Sequence, residues 1–280
     1  MLTATAIDRV VRAALEEDAP WGDITCEALI PAEAVATAEL VAREEGVFSG
    51  GSVFAAAFAL TDPAIRVELL AEDGSRFAPG DVLARVTGPA RGILTAERVA
   101  LNLAQRMSGI ATLTARYVEA VRDDVRIADT RKTTPGLRAL ERHAVVSGGG
   151  HNHRFSLSDA VMAKDNHLAL VGVDLTSALR EARNRLPHTT HIEVEVDRLD
   201  QIPAALEAGV DTIMLDNFSL ADLRAGVELI GGRAIVEASG GVNLDTVAGI
   251  AATGVDVISV GALTHSAPAV DLGLDFADTP

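Results

Sequence analysis

Lys132 and Lys164 are the only lysines in a chain that carries 24 lysines and arginines together, which leaves 22 arginines. A GC-rich coding bias explains an arginine excess, but the two remaining ammonium groups ask for a reason of their own. A compact, strongly hydrated point charge is not replaced by a planar guanidinium in a tight pocket. Both lysines stand among other cations. The run T-R-K-T-T-P-G-L-R (130–138) sets Arg131 beside Lys132, after an apolar stretch and before hydroxyls and Pro135-Gly136. The run S-G-G-G-H-N-H-R-F-S-L-S-D-A-V-M-A-K-D-N-H (147–167) adds His151, His153, Arg154, Lys164 and His167, with His143 just upstream. Four of the seven histidines thus fall in one segment, too many for scattered surface placement. Thr130 to His167 therefore reads as the anion-binding centre of an active site.

Neighbouring strand residues point to opposite faces, so Arg131 and Lys132 converge only if the chain turns there. The Thr-Pro-Gly that follows supplies the turn. Two other chemistries compete for these residues. His-x-His with later His, Lys and Asp mimics a barrel metallohydrolase. Against it, the pair follows a glycine loop rather than a strand, and Arg154 adjoins it and would repel a dication. A lysine at a strand end also suits a Schiff-base aldolase, where apolar surroundings or a second cation activate the amine. Asp165 beside Lys164 does not decide that question.

Further along, H-I-E-V-E-V-D puts Glu193, Glu195 and Asp197 on one strand face and Ile192, Val194 and Val196 on the other. Carboxylates facing a closed sheet's interior are costly unless cations meet them, and Arg131, Lys132, Arg154 and Lys164 are available. M-L-D-N places Asp216 at the next strand end. E-A-S-G-G and S-V-G-A then offer two glycine turns, at Ser239, Gly240 and Gly241 and at Ser259 and Gly261, of the kind that cradles phosphate through backbone N–H groups.

The elements that must position these groups change rhythm midway. Residues 4–17 have helical spacing, E-D-A-P-W-G-D-I-T reads as a turn-rich loop, and 36–86 shortens into strand-like runs split by D-G and P-G turns. That region has the hammerhead rhythm of a biotinyl or lipoyl carrier but lacks the lysine such carriers modify. A long helix is expected over 95–121, N-capped by Thr95, or two helices joined at Ser108-Gly109. After it, six short apolar runs alternate with amphipathic segments such as 175–185, 201–208, 220–230 and 244–253, which implies right-handed crossovers and a parallel sheet. Polar residues fall at the C-terminal end of all six runs. A doubly wound sheet gathers its site at one switch point, a barrel at one whole face, so a barrel of six strands, or seven with one hidden, is expected.

Composition limits the partners. A net charge of -16 argues against nucleic acid and anionic membranes. Aromatics at 3% with 48% hydrophobic residues favour buried parallel strands under helices. A single cysteine, Cys26, forms no intrachain disulfide, no run of 18 apolar residues occurs, and charges at Asp8, Arg9 and Arg12 interrupt any leader-like start. A soluble cytoplasmic enzyme is the expectation.

T-R-K-T-T-P-G-L-R, G-G-G-H-N-H-R, K-D-N-H, E-V-E-V, M-L-D-N, E-A-S-G-G and D-V-I-S-V-G-A-L-T-H-S occur in this order. Together with E-D-x-x-x-G-D-I-T and A-E-R-V-A-L-N-x-x-Q-R-M-S-G-I-A-T, they resemble the quinolinate phosphoribosyltransferases over nearly the whole chain. The resemblance implies a TIM-like parallel α/β barrel at 108–265, with a smaller N-terminal α+β domain at 1–107 rejoined by 266–280. It implies transfer of phosphoribosyl from phosphoribosyl pyrophosphate to quinolinate, with loss of pyrophosphate and carbon dioxide. Arg106, Thr130, Arg131, Lys132, His153, Arg154 and Lys164 would bind the dianion and pyrophosphate. Glu193 and Asp216 would face the ribose, and Ser239, Gly240, Gly241, Ser259, Val260 and Gly261 its phosphate. Lys132, Lys164, Glu193 and Asp216 are the residues expected to carry the chemistry. Magnesium would bind mainly through the pyrophosphate, with Glu193 or Asp216 as available protein ligands. The resemblance also implies a homodimer in which Arg106 reaches the neighbour's barrel. Ser156 departs from the glycine common in the family. A related phosphoribosyltransferase acting on another anionic acceptor is the nearest alternative.

Overall fold

The structure, a computed structural model, describes residues 2–121, 124–164, 167, 170 and 174–276. Asp165 and Asn166 of K-D-N-H, and the end of the C-terminal segment at 277–280, lie outside the described residues. Contacts divide the chain into two compact units: Met1–Ala115 with Thr133–Gly149 and Leu263–Pro280, and Arg116–Lys132 with Gly150–Ala262.

The first unit is built on an antiparallel sheet of β1 (Val35–Ala42), β3 (Arg66–Leu69), β5 (Val82–Pro89) and β12 (Leu272–Phe276), in the order β12-β1-β5-β3. Alternation in β1 turns Ala38, Leu40 and Ala42 inward and leaves Glu39 facing out, where Arg85 bridges it to Glu68. A two-stranded ribbon, β2 (Gly46–Val47) with β4 (Arg76–Phe77), completes the strands of this unit. Helix α1 (Ala4–Asp18) starts at Thr3, whose hydroxyl accepts from the Ala6 N–H. The turn-rich loop expected at 17–25 is present over residues 19–23, and it leads into an unforeseen helix, α2 (Ile24–Leu29), because the Asp23 carboxylate caps the N–H groups of Thr25 and Cys26. A second unforeseen helix is α3 (Gly51–Thr61). It is apolar on most sides, with Val53, Phe54, Ala57 and Phe58 buried, so it carries no helical stripe for sequence reading to find.

The long helix α4 runs unbroken over Ala90–Glu119. Thr95 is therefore interior rather than its N-cap, and its hydroxyl donates to the Arg91 carbonyl and to Asp23. Nor does the helix break at Ser108-Gly109. Gly109 is there for space: a Cβ on it would lie 2.0 Å from the Pro268 carbonyl oxygen. The helix α5 (Arg138–Ser147) follows the T-R-K-T-T-P-G turn and belongs to the same unit.

The second unit carries six parallel strands, β6 (Arg126–Ala128), β7 (Val161–Ala163), β8 (Ile192–Val196), β9 (Thr212–Asp216), β10 (Ile235–Ser239) and β11 (Val257–Ser259). They lie in the order β6-β11-β10-β9-β8-β7, each beside its chain neighbour apart from the return of β11 to β6. Helices at Leu175–Arg185, Ile202–Glu207, Leu220–Ile230 and Val247–Ala251 connect them, as the alternating pattern requires. Beside β6, on the edge away from β11, His151 makes a single parallel bridge with Ala128. Its N–H donates to the Ile127 carbonyl and its carbonyl accepts from Asp129 N–H. This one-residue contact stands in the position of a seventh strand, and the unit is the parallel α/β barrel that the strand-end pattern implied.

Two tests follow from the first unit. Gly109→Ala should lower stability by about 2 kcal/mol or more in urea unfolding, since overpacking outweighs the gain of about 1 kcal/mol in helix propensity. A variant as stable as its parent would show that the backbone at Pro268 yields freely. Asp73 is the second case: it accepts from the N–H groups of Gly50 and Gly51 at 3.0 Å and meets His143 Nε2 at 2.6 Å. Burial raises its carboxyl, but His143 and the two N–H groups outweigh this and hold it below the ordinary 3.8. Its contribution is therefore complete above that value and fades as pH falls through it. Asp73→Asn should cost about 1 kcal/mol at pH 7, with the gap narrowing below pH 4; a gap that widens on acidification would contradict this.

Candidate active site

The C-terminal strand ends of the second unit enclose a cavity of about 440 Å³. Its lining contains Thr130, Arg131, Lys132, His153, Arg154, Lys164, Asp216, Ser239 and Ser259 from the sequence reading, and adds Met162, Glu195 and Met214. Thr130 shapes the turn after β6, its hydroxyl accepting from Lys132 N–H at 3.0 Å. This local bend lets two adjacent residues face one space, as the turn argument required. Arg154 is anchored by a 3.0 Å hydrogen bond from its guanidinium to the Ala160 carbonyl. Burial and the nearby charge of Arg131 both hold Arg154 below its ordinary value. Two guanidinium groups in mutual repulsion favour an anion between them.

The carboxylates sort differently from the expectation. Glu195, not Glu193, faces the cavity, and Lys164 Nζ donates to it. Glu193 shares its strand face but lies one repeat deeper, 3% exposed, lining a second cavity of about 510 Å³ with Glu237 and His191. There it meets His153 Nε2 at 3.1 Å, and Glu237 meets the same nitrogen at 3.5 Å. These atoms lie within 4.8 Å of one another, a spacing open to a metal ion as well as to a proton. The backbone N of Arg154 lies 2.6 Å from Nδ1, and Nε2 faces the two carboxylates. The group is then a hydrogen-bonded triad. Burial opposes a second ring proton, but the hydrogen bonds and charges of Glu193 and Glu237 prevail and raise His153 above the ordinary imidazole value. Burial likewise raises Glu193, with the charge of Glu237 adding to it and His153 opposing.

Both ring nitrogens of His153 thus have protein partners, while the ring itself lines the mouth cavity. The other histidines disperse. His143 bonds Asp73 in the first unit, and His167 Nδ1 accepts from Lys164 N–H at 3.1 Å. Asp197 is exposed and pairs with Arg198.

Of the glycine turns, the first is well defined. Asn217, at φ 59°, is the one non-glycine residue with positive φ among the described residues, and its side chain donates to Asp216 at 2.6 Å. Gly240 has φ +93°, and a Cβ on it would lie 2.2 Å from Asn217 Oδ1, so the β9 and β10 ends pack only with glycine there. Gly240, Gly241, Val260 and Gly261 are not among the lining residues. Val260 is excluded as a binding donor: its side chain is buried and its N–H donates to the Ala128 carbonyl at 2.9 Å. Arg106 is also not among the lining residues. It lies in the first unit, where it binds Glu141, Thr134 Oγ1 and the Thr264 carbonyl. Ser156 sits at negative φ and its hydroxyl accepts from Ser158 N–H, so this position asks for no glycine.

Sequence reasoning passed over Met162 and Met214 because apolar strand residues carry no signal for facing a ligand. Glu195 was visible, but only the depth of its strand in the barrel separates it from Glu193. The lysine at a strand end does not have the surroundings of a Schiff-base amine, since a carboxylate meets it directly.

A parallel α/β barrel whose strand ends gather cations, carboxylates and a glycine turn over one mouth is the architecture of an enzyme for anionic substrates. The sequence matches the quinolinate phosphoribosyl transferase N-terminal domain over residues 23–108 and the C-terminal domain over 110–275. It is 47% identical over 278 residues to the carboxylating nicotinate-nucleotide pyrophosphorylase of Mycobacterium leprae, covering 95% of each chain. It is 43% identical over 260 residues to a probable enzyme of the same name in Bacillus subtilis, covering 92% of this chain and 89% of that one. The crystal structure of NadC from Streptococcus pyogenes superposes with a TM-score of 0.94 at 43% identity over 99% of each chain. The chain belongs to the quinolinate phosphoribosyltransferase family.

The Lys164–Glu195 pair yields a test that needs no turnover. Glu195→Gln removes a carboxylate from a cavity that attracts anions, and in metal-free buffer it should tighten pyrophosphate binding by about two- to fivefold in calorimetry, a modest figure because Lys164 is partly exposed. Weaker binding would mean that Glu195 acts mainly by aiming the lysine.

Proposed function

We infer that the protein transfers the phosphoribosyl group of phosphoribosyl pyrophosphate to quinolinate, releasing pyrophosphate and carbon dioxide and giving nicotinate mononucleotide for NAD biosynthesis. The observation that carries this reading is the mouth cavity itself. It sets Arg131 and Arg154 in mutual repulsion in a lining that also holds Lys132, Lys164, Met162 and Met214. A flat dianion answers both features: its carboxylates relieve the guanidinium pair, and its ring packs on thioethers.

Departure of pyrophosphate leaves positive charge at the anomeric carbon, so carboxylates facing that atom stabilise the transition state more than the ground state. Asp216 and Glu195 fill this role in the proposal. Glu193, engaged with His153, gives it up. Asp216, hydrogen-bonded by Asn217 at the mouth, is an oxygen ligand of the type magnesium prefers, and the metal would otherwise bind through pyrophosphate and water. Bound there, magnesium would neutralise charge on the leaving group. Lys132 and Lys164 are placed as point charges on carboxylate or pyrophosphate. The turn at Ser239, Gly240 and Gly241, with Gly261 after β11, is assigned to the ribose phosphate. After transfer, the cationic pyridinium nitrogen accepts the electrons released on decarboxylation.

We further propose a homodimer in which Arg106 serves the partner's site, a reading supported by the family resemblance of the motif that carries Arg106. A cytoplasmic location belongs to the same reading. No helix among the described residues is long and apolar enough to cross a membrane.

Incubation with phosphoribosyl pyrophosphate and either quinolinate or nicotinate, followed by mass analysis, tests the activity: nicotinate mononucleotide should form from quinolinate. Product from nicotinate alone would overturn the assignment. Arg154→Ala should raise the KM for quinolinate by about 10- to 100-fold, the range for a charge-assisted hydrogen bond of 1.5–3 kcal/mol. Mixing Arg106→Ala with Lys164→Ala protein should restore activity in verified heterodimers; no recovery would refute the shared site.

A further inference from the structure

Glu237, on β10, has no part in the chemistry assigned above, yet it is only 3% exposed and its two oxygens serve different neighbours. Oε1 accepts the hydroxyl of Ser259 on β11, and Oε2 lies 3.5 Å from His153 Nε2. Ser259 and His153 both line the mouth cavity. One buried carboxylate thus grips a residue of the acceptor side and a residue of the side assigned to the phosphoribosyl group. Its hold on Ser259 fixes more than position. A serine hydroxyl has one proton, and a carboxylate only accepts, so the proton of Ser259 points at Glu237 and its lone pairs are left for other partners. In that state Ser259 repels a phosphate oxygen and attracts an O–H or N–H.

Resting on the functional reading above, we propose that Glu237 is a positioning residue that fixes Ser259 as an acceptor for a hydroxyl of the phosphoribosyl substrate while bracing the His153 ring beneath Arg154. Phosphate recognition then falls to the backbone of the glycine turns rather than to this serine. The sequence motif E-A-S-G-G already contains the residue, two positions before Ser239.

Glu237→Gln tests this with almost no change in volume. Its amide can donate to Ser259, which releases the serine proton and reverses the polarity offered to substrate. The expected result is a rise of about 5- to 20-fold in KM for phosphoribosyl pyrophosphate, with a smaller rise for quinolinate and kcat within a few fold of the parent. A merely structural residue would lower the active fraction and the melting temperature and leave both KM values alone. Adding Ser259→Ala to Glu237→Gln should worsen the KM for phosphoribosyl pyrophosphate no further than the worse single change. Parental KM values in an active Glu237→Gln enzyme, or effects that multiply in the double variant, overturn the proposal. If Glu237→Gln does not fold, Ser259→Ala alone decides: it should raise the KM for phosphoribosyl pyrophosphate and spare that for quinolinate, and any other pattern overturns the proposal. Lack of quinolinate-dependent pyrophosphate release by the parent would overturn the functional reading and this proposal with it.

Discussion

Glu193 and Glu237 point into the interior of a six-stranded barrel, where an ionised carboxylate costs several kcal/mol unless a partner meets it. His153 is that partner, and its position constrains much else. The ring reaches the two carboxylates because His151, two positions before it, is held beside β6 by hydrogen bonds exchanged with the Ile127–Asp129 backbone. Asp129, fully buried, then accepts from the His153 N–H at 2.7 Å and fixes the next residue as well. Arg154, one position on, is aimed at the mouth by the same segment. The buried triad is thus the foundation on which the basic side of the cavity stands. Truncating any member would leave a charge or a donor without its protein partner beside the cavity of about 510 Å³ that they line.

The mouth obeys the opposite rule. Its cations are close enough to repel, and Arg131 beside Arg154 is an arrangement that folding alone does not favour. Such a cost is tolerated where a ligand removes it. The chain as a whole carries a charge of -16, so these residues form a local positive site in an acidic molecule.

How much of this the sequence disclosed depended on periodicity and depth. The six parallel strands were legible because each is a short apolar run ending in polar residues, and the helices at Leu175–Arg185 and Leu220–Ile230 were legible to the residue through their amphipathic spacing. Helix α3 was not, since residues buried on most sides leave no stripe. Gly109 left a break in the long helix open as an alternative, because its reason, the carbonyl of Pro268, lies 159 positions away. Within the site, residue type marked Arg131, Lys132, Arg154 and Lys164 correctly as mouth residues. It could not rank Glu193 against Glu195, because alternation gives the face of a strand and says nothing of distance along the barrel axis. The N–H of Val260 was lost to a strand pairing that no local pattern announces.

On the proposed function, the same geometry accounts for a preference between closely related acids. In that reading, a pyridine with one carboxylate offsets less of the Arg131–Arg154 repulsion than a pyridine with two adjacent carboxylates. An unmet charged hydrogen bond in a confined site costs on the order of 1.5–3 kcal/mol, or about 10- to 100-fold in affinity. Met162 and Met214 contribute little to that choice, since both rings pack on them equally. In this proposal the thioethers seat the ring and the guanidinium pair selects between the two acids, so discrimination resides in the Arg131–Arg154 repulsion, which one carboxylate offsets less than two.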